Sequence, residues 1–198
     1  MGHLLLVTRR RSPNLLHSPE CLSGLATALG RLTAIALVSV SFSCAADPVR
    51  ERQIAALGGE TPGIPHGPLH RAGQPCGLCH GPEGPDNPEF SLSGTIYRGV
   101  SSRSPLKGAT IHFIDSTGEQ RTTESNCAGN FFVRKSEWSP TWPIWSKIEY
   151  SAKVVEMTSA VFREMSCSAC HADPASPSTV GHLYFAEDES TLPEATCP

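Results

Sequence analysis

Residues 91–135 read SLSGTIYRGVSSRSPLKGATIHFIDSTGEQRTTESNCAGNFFVRK, a block in which short runs of alternating apolar and polar residues are punctuated by turn residues. Alternation with a period of two puts successive side chains on opposite faces of a strand, and runs this short are strands in preference to helices. Working outward from this block, strands are expected at 91–97, 109–115, 119–125, 130–135, 146–155, 158–163 and 182–186. Ser116-Thr117-Gly118 and Ala128-Gly129 carry turn chemistry, the glycines supplying positive φ at little cost. Short strands separated by turns at intervals of about ten residues predict a mainly β chain folded as an antiparallel sandwich, with no helix longer than a turn or two.

Two copies of Cys-x-x-Cys-His flank and interrupt this block: Cys76-Gly77-Leu78-Cys79-His80 and Cys167-Ser168-Ala169-Cys170-His171. Two thiols at this spacing bond the vinyl groups of a haem while the next residue, His, ligates the iron. Two Cys-x-x-Cys pairs also describe a zinc site, and one pair describes a redox dithiol. A zinc ribbon separates its pairs by roughly 15–20 residues, far less than the stretch from Cys79 to Cys167. With only 8 His among 198 residues, a His after both pairs weighs against coincidence. The expectation is two covalently bound haem c groups, anchored by Cys76, Cys79, Cys167 and Cys170, with His80 and His171 as iron ligands.

The middle of the chain also resembles a known family, the carboxypeptidase regulatory-like (transthyretin-like) β-sandwich. The residues that carry the likeness are Ser93-Gly94-Thr95-Ile96-Tyr97, Leu106-Lys107-Gly108-Ala109-Thr110-Ile111, Asp115-Ser116-Thr117-Gly118 and Gly129-Asn130-Phe131, in that order. The resemblance implies an Ig-like or transthyretin-like sandwich of about seven strands, a structural or adhesive module without catalytic residues of its own. The chain departs from the family in a long loop, 164–181, that carries the second Cys-x-x-Cys-His. If the strands alternate up and down, both haem motifs fall at one end of the sandwich, and the haems are expected to approach edge to edge as an electron relay. The loop 136–145, with Trp138, Trp142 and Trp145, falls at the same end; its rings either cover a porphyrin or cap the core.

Each iron needs a sixth ligand or an open position. His70 and His182 are the expected distal ligands, with His66 as substitute for His70. His112 lies on a strand whose Ile111 and Phe113 point inward, so it is expected to face solvent. Met157 and Met165 would give His/Met ligation, but Met165 lies too close to Cys167 to cross the same iron, and Met157 is expected to pack. Setting aside the four haem cysteines, Cys21 and Cys44 leaves Cys127 and Cys197, either paired as a disulfide at the end opposite the haems, free, or bonded between chains.

Thioether attachment takes place outside the cytoplasm, and the N-terminus reads as an export signal over residues 1–45. Arg9, Arg10, Arg11 and Arg31 precede a charge-free run, Leu32 to Ser43, that is too short to span a membrane. Cys44 stands where a lipoprotein cysteine would, so membrane attachment through a lipidated Cys44 is an alternative to a free periplasmic or cell-surface protein. Residues 46–72 read as a Gly/Pro-rich linker, 73–90 as the first haem-binding segment and 91–198 as the sandwich. Without its first 44 residues the chain keeps 12 Lys and Arg (16 less 4) against 18 Asp and Glu (19 less 1), a balance of −6. That balance excludes nucleic acid and favours redox partner proteins with basic surfaces. The leading expectation is an exported dihaem cytochrome c, an electron-transfer protein and not an enzyme. The alternatives are a haem-bearing structural subunit that self-assembles at the cell surface and, with less support, a dihaem peroxidase-type enzyme, since no acid/base cluster accompanies either motif.

Overall fold

A computed structural model describes residues 47–194, 196 and 197. The expected signal segment, with Cys21 and Cys44, lies outside the described residues. The chain is mainly β, a sandwich of two sheets with strand orders β4-β1-β7 and β3-β2-β5-β6. The strands are β1 (Phe90–Gly99), β2 (Thr110–Asp115), β3 (Gln120–Glu124), β4 (Asn130–Arg134), β5 (Ile144–Tyr150), β6 (Lys153–Glu156) and β7 (Leu183–Ala186). β1 pairs antiparallel with β4 and parallel with β7, while β2 pairs antiparallel with β3 and β5. Between the sheets lie Leu92, Ile96, Leu106, Ile111, Phe113, Phe131, Val133, Ile144 and Ile148, all buried. Most of them are the apolar members of the alternation in β1, β2, β4 and β5, so the binary pattern itself selects the inner face.

β1 departs from that pattern because it is buried almost throughout, on both faces. Its inner side meets the core, and its outer side is covered by the segment before it. A buried Asp115 closes the β2–β3 turn: one carboxylate oxygen accepts from the backbone of Thr117 and Glu119 and from the Thr117 hydroxyl, and the other accepts from the backbone of Thr141. The Thr117 hydroxyl and these N–H donors hold its carboxyl below the ordinary range.

Three expectations are corrected. The stretch 146–155 is not one strand but a hairpin of β5 and β6, turned at Ser151 and Ala152, both with positive φ. Stretch 158–163 forms no strand beyond a single bridge between Val161 and Ile144. The two errors cancel, so the total of seven strands and their up-down parity stand. The linker 46–72 contains helix α1 (Pro48–Ala56), which starts on a proline with Glu51 in its first turn and ends before Gly58 at φ +74°. Proline suits the first helical position and a positive-φ glycine the exit, while the few apolar residues, Val49, Ile54, Ala55 and Ala56, do not gather on one face and gave no amphipathic signal. Among the described residues no helix is long and apolar enough to cross a membrane.

Candidate functional site

The segment that carries the first motif is docked on the outer face of the β4-β1-β7 sheet. Asn130 on β4 donates from Nδ2 to the carbonyls of His70 (2.9 Å) and Pro68 (3.2 Å), and Asn126 reaches the same Pro68 carbonyl at 2.7 Å. Gly73 N–H donates to Thr95 Oγ1 on β1 at 2.8 Å, and that hydroxyl in turn donates to Asn130 Oδ1. These bonds satisfy loop backbone that would otherwise be stranded against a buried sheet. Arg71 ties the arm to itself through Glu60, the Gly58 carbonyl and Gln74.

Cys76 enters a short helix, α2 (Gly77–His80), with Cys76 O accepting from His80 N–H at 2.8 Å. This turn brings Cys76, Cys79 and His80 to a cavity of about 540 Å³ shared with His70, Phe90 and Arg134, within the range of small-molecule and cofactor pockets. His80 is buried, its ring lies 4.4 Å from Phe90, and its Nδ1 is 2.9 Å from the Pro88 carbonyl. A backbone carbonyl on Nδ1 fixes the ring and leaves Nε2 for a metal. The ring centre of His70 is 6.0 Å from that of His80, with planes inclined by 20°. His70 Nδ1 accepts a bond from Gly67 N–H at 3.2 Å, so ligation by His70 replaces that contact. His66 points to Glu60 with its side chain 90% exposed.

The second motif arrives beside the first. Ser93 N–H donates to Met165 O at 2.8 Å, and Ser93 and Ser166 form a parallel bridge, so residues 165–167 extend the line of β7 along the edge of β1. Helix α3 (Cys167–Cys170) follows, with Cys167 O accepting from His171 N–H. Met165 packs against the first turn, 3.2 Å from where a Cβ on Gly77 would stand and 3.4 Å from one on Gly81. Cys76 lies near Ser93 and within electrostatic reach of Cys167, while Cys167 lies beside Gly94. The two turns are thus together, as strand parity requires, but they rest on the flank of β1 and not beyond its end.

Their environments differ. Burial pushes the thiols of Cys76 and Cys79 above their ordinary value, and that of Cys167, packed on the core, up to about 12. Cys170 is exposed. Burial lowers the His171 imidazole, partly offset by a hydrogen bond to the Gly181 carbonyl. Both motif histidines are therefore steered by a backbone carbonyl several residues downstream. The donor set fits a haem at the first turn, where Cys76, Cys79 and His80 line a cavity already formed; at the second, Cys167 is packed on the core. Among the described residues no three His, Cys, Asp or Glu side chains gather to hold a metal ion.

Of the other expected residues, His182 engages Asp173 Oδ2 through Nδ1 (2.7 Å) and the Gly99 carbonyl through Nε2 (3.0 Å). His112 pairs with Glu149 on the outer face of the four-stranded sheet. Met157 is partly exposed. Trp138 is buried against Phe113, Trp145 is exposed, and Trp142 lines a cleft of about 820 Å³ with Leu78 of the first turn and Ala169 of the second. Cys127 and Cys197 form a disulfide. Asn130, which holds His70, escaped the sequence reading because nothing near it in the chain marks it as an anchor. No family model, curated protein or solved structure matches this chain.

Proposed function

We propose that the chain is an exported dihaem cytochrome c that passes electrons between redox partner proteins, the two haems forming one relay. The observation that carries this reading is the meeting of both Cys-x-x-Cys-His turns on one strand, Cys76 at Ser93 and Cys167 at Gly94. Sequence-distant motifs packed against each other bring two attached porphyrins within short range, which is what electron exchange requires. A haem supplies the one-electron chemistry; the chain anchors it, orients its axial imidazoles through the Pro88 and Gly181 carbonyls, and sets its potential through burial. We further propose that the scaffold is of the carboxypeptidase regulatory-like kind, supported by the Asp115 turn and by Gly94 lying under Phe131.

Intact mass of the exported protein is expected to show two haem adducts, with peptides 76–80 and 167–171 each carrying one. A reduced-minus-oxidised spectrum should account for both. Bare thiols, or zinc in place of iron, would end the proposal. An array subunit is a second reading, favoured by β6, an edge strand exposed along its whole length. Concentration-dependent polymers in sedimentation would support it, and a monomer at all concentrations would remove it.

A further inference from the structure

We infer that β6 is the contact through which two copies of this chain pair, strand to strand and antiparallel, as a closed two-fold dimer. This dimer does not depend on the dihaem reading. The backbone of β6 is paired on one side only, at the edge of the β3-β2-β5-β6 sheet. Met157 N–H donates to Ser146 O at 3.1 Å, in step with the register Ile148↔Val155 and Tyr150↔Lys153. Alternate residues of an antiparallel ladder bond the neighbouring strand, so Lys153, Val155 and Met157 turn their polar groups to β5. Val154 and Glu156 turn theirs outward, from a strand exposed along its whole length.

Apolar side chains crowd around this edge. Trp145 on β5, Val154 and Val155 on β6, and Met157 and Phe162 in the segment that follows are all exposed. Val161 bridges Ile144, so that segment continues along the same side of β5. The opposite edge of the sheet, β3, reads Gln-Arg-Thr-Thr-Glu and offers nothing apolar. Exposed apolar residues gathered in one place mark an interaction surface. The order of residues in β6, Lys-Val-Val-Glu, identifies the partner. Laid antiparallel on itself, it sets the basic end of one copy along the acidic end of the other with valines between, whereas a parallel pairing sets like charges together. With the axis at Val155, Val154 of each copy exchanges N–H···O bonds with Glu156 of the other, and Val155 faces Val155. Such a contact uses β6 of both chains and closes at two copies, so the polymer of the second reading above needs a further surface.

Sedimentation equilibrium of the exported protein tests this, with circular dichroism to show that each variant is folded. A monomer–dimer equilibrium without larger species is expected. Val154→Pro removes an outward N–H and none of the bonds to β5, and should raise the dimer dissociation constant about tenfold or more. Val155→Lys sets like charges face to face at the axis and should do the same; it leaves the backbone intact if Val154→Pro does not fold. Val155→Cys should link the two copies through a disulfide on mild oxidation, because the residue faces itself, whereas Val154→Cys, opposite Glu156, should not. A monomer at every concentration, assembly beyond two copies, a dimer that Val155→Lys leaves at full strength, or a Val154→Cys protein that links as readily as Val155→Cys, would overturn the inference. The number of haems found by mass bears on none of these outcomes.

Discussion

Gly94 occupies the most crowded point of the molecule. A Cβ there would stand 2.6 Å from the Phe131 ring and 2.9 Å from Cys167 Cβ, distances that neither the core nor the second Cys-x-x-Cys-His turn can accept without moving. Its φ is not of the left-handed kind, so the reason for glycine is close approach and not backbone freedom. Gly94→Ala is therefore expected to destabilise the protein by about 1–3 kcal/mol, the cost of overpacking a filled interior. Denaturant unfolding checks this, with the midpoint falling and the slope unchanged. An unaltered midpoint would mean that the β1 edge yields freely, and that the second turn is not seated as described. The same scale shows why some residues were readable from the sequence and others were not. The motif cysteines and histidines announce themselves by spacing, whereas nothing in the sequence marks the contacts of His182 with Asp173 and the Gly99 carbonyl.

Among the elements, β1 to β4 followed from alternation and from turn residues at Gly118 and Gly129. The hairpin of β5 and β6 did not, and the cause is local. Its two turn residues, Ser151 at φ 49° and Ala152 at φ 61°, adopt the left-handed conformation without being the Asn or Gly that usually signals it. An L-residue with a Cβ costs roughly 1–2 kcal/mol there. Replacing Ser151-Ala152 by Asn-Gly is thus expected to raise stability by about 1 kcal/mol or more, seen as a higher thermal midpoint. A decrease would show that this turn is not of the type the backbone indicates. Helix α1 was missed for the opposite reason, since a short polar helix has no periodic stripe to read.

On the scale of the whole molecule, the disulfide joins the C-terminal segment to the β3–β4 turn, on which the arm of the first Cys-x-x-Cys-His turn is docked. Cys197 is bonded to Cys127 in the β3–β4 turn, and that turn also contains Asn126, whose side chain holds the Pro68 carbonyl, and precedes Asn130, which holds His70. The C-terminal segment is further fixed by Arg98, donating to the Leu192 and Pro193 carbonyls, and by buried Leu192 in the core. Closing a loop with a sequence separation of 70 removes unfolded-chain entropy worth about 4 kcal/mol in the chain-entropy account. The pair Cys127→Ala with Cys197→Ala is therefore expected to lose about 2–4 kcal/mol, and on the dihaem proposal it should keep both haem adducts, because Cys76, Cys79, Cys167 and Cys170 are untouched. Because the loosened turn also anchors His70, a first iron ligated by His70 on the dihaem proposal should bind carbon monoxide more readily in the variant than in the wild type. Loss of stability without that gain would mean that Asn130 holds His70 unaided, and an undiminished midpoint would show that the turn and C-terminus stay joined by Arg98 and Leu192 alone.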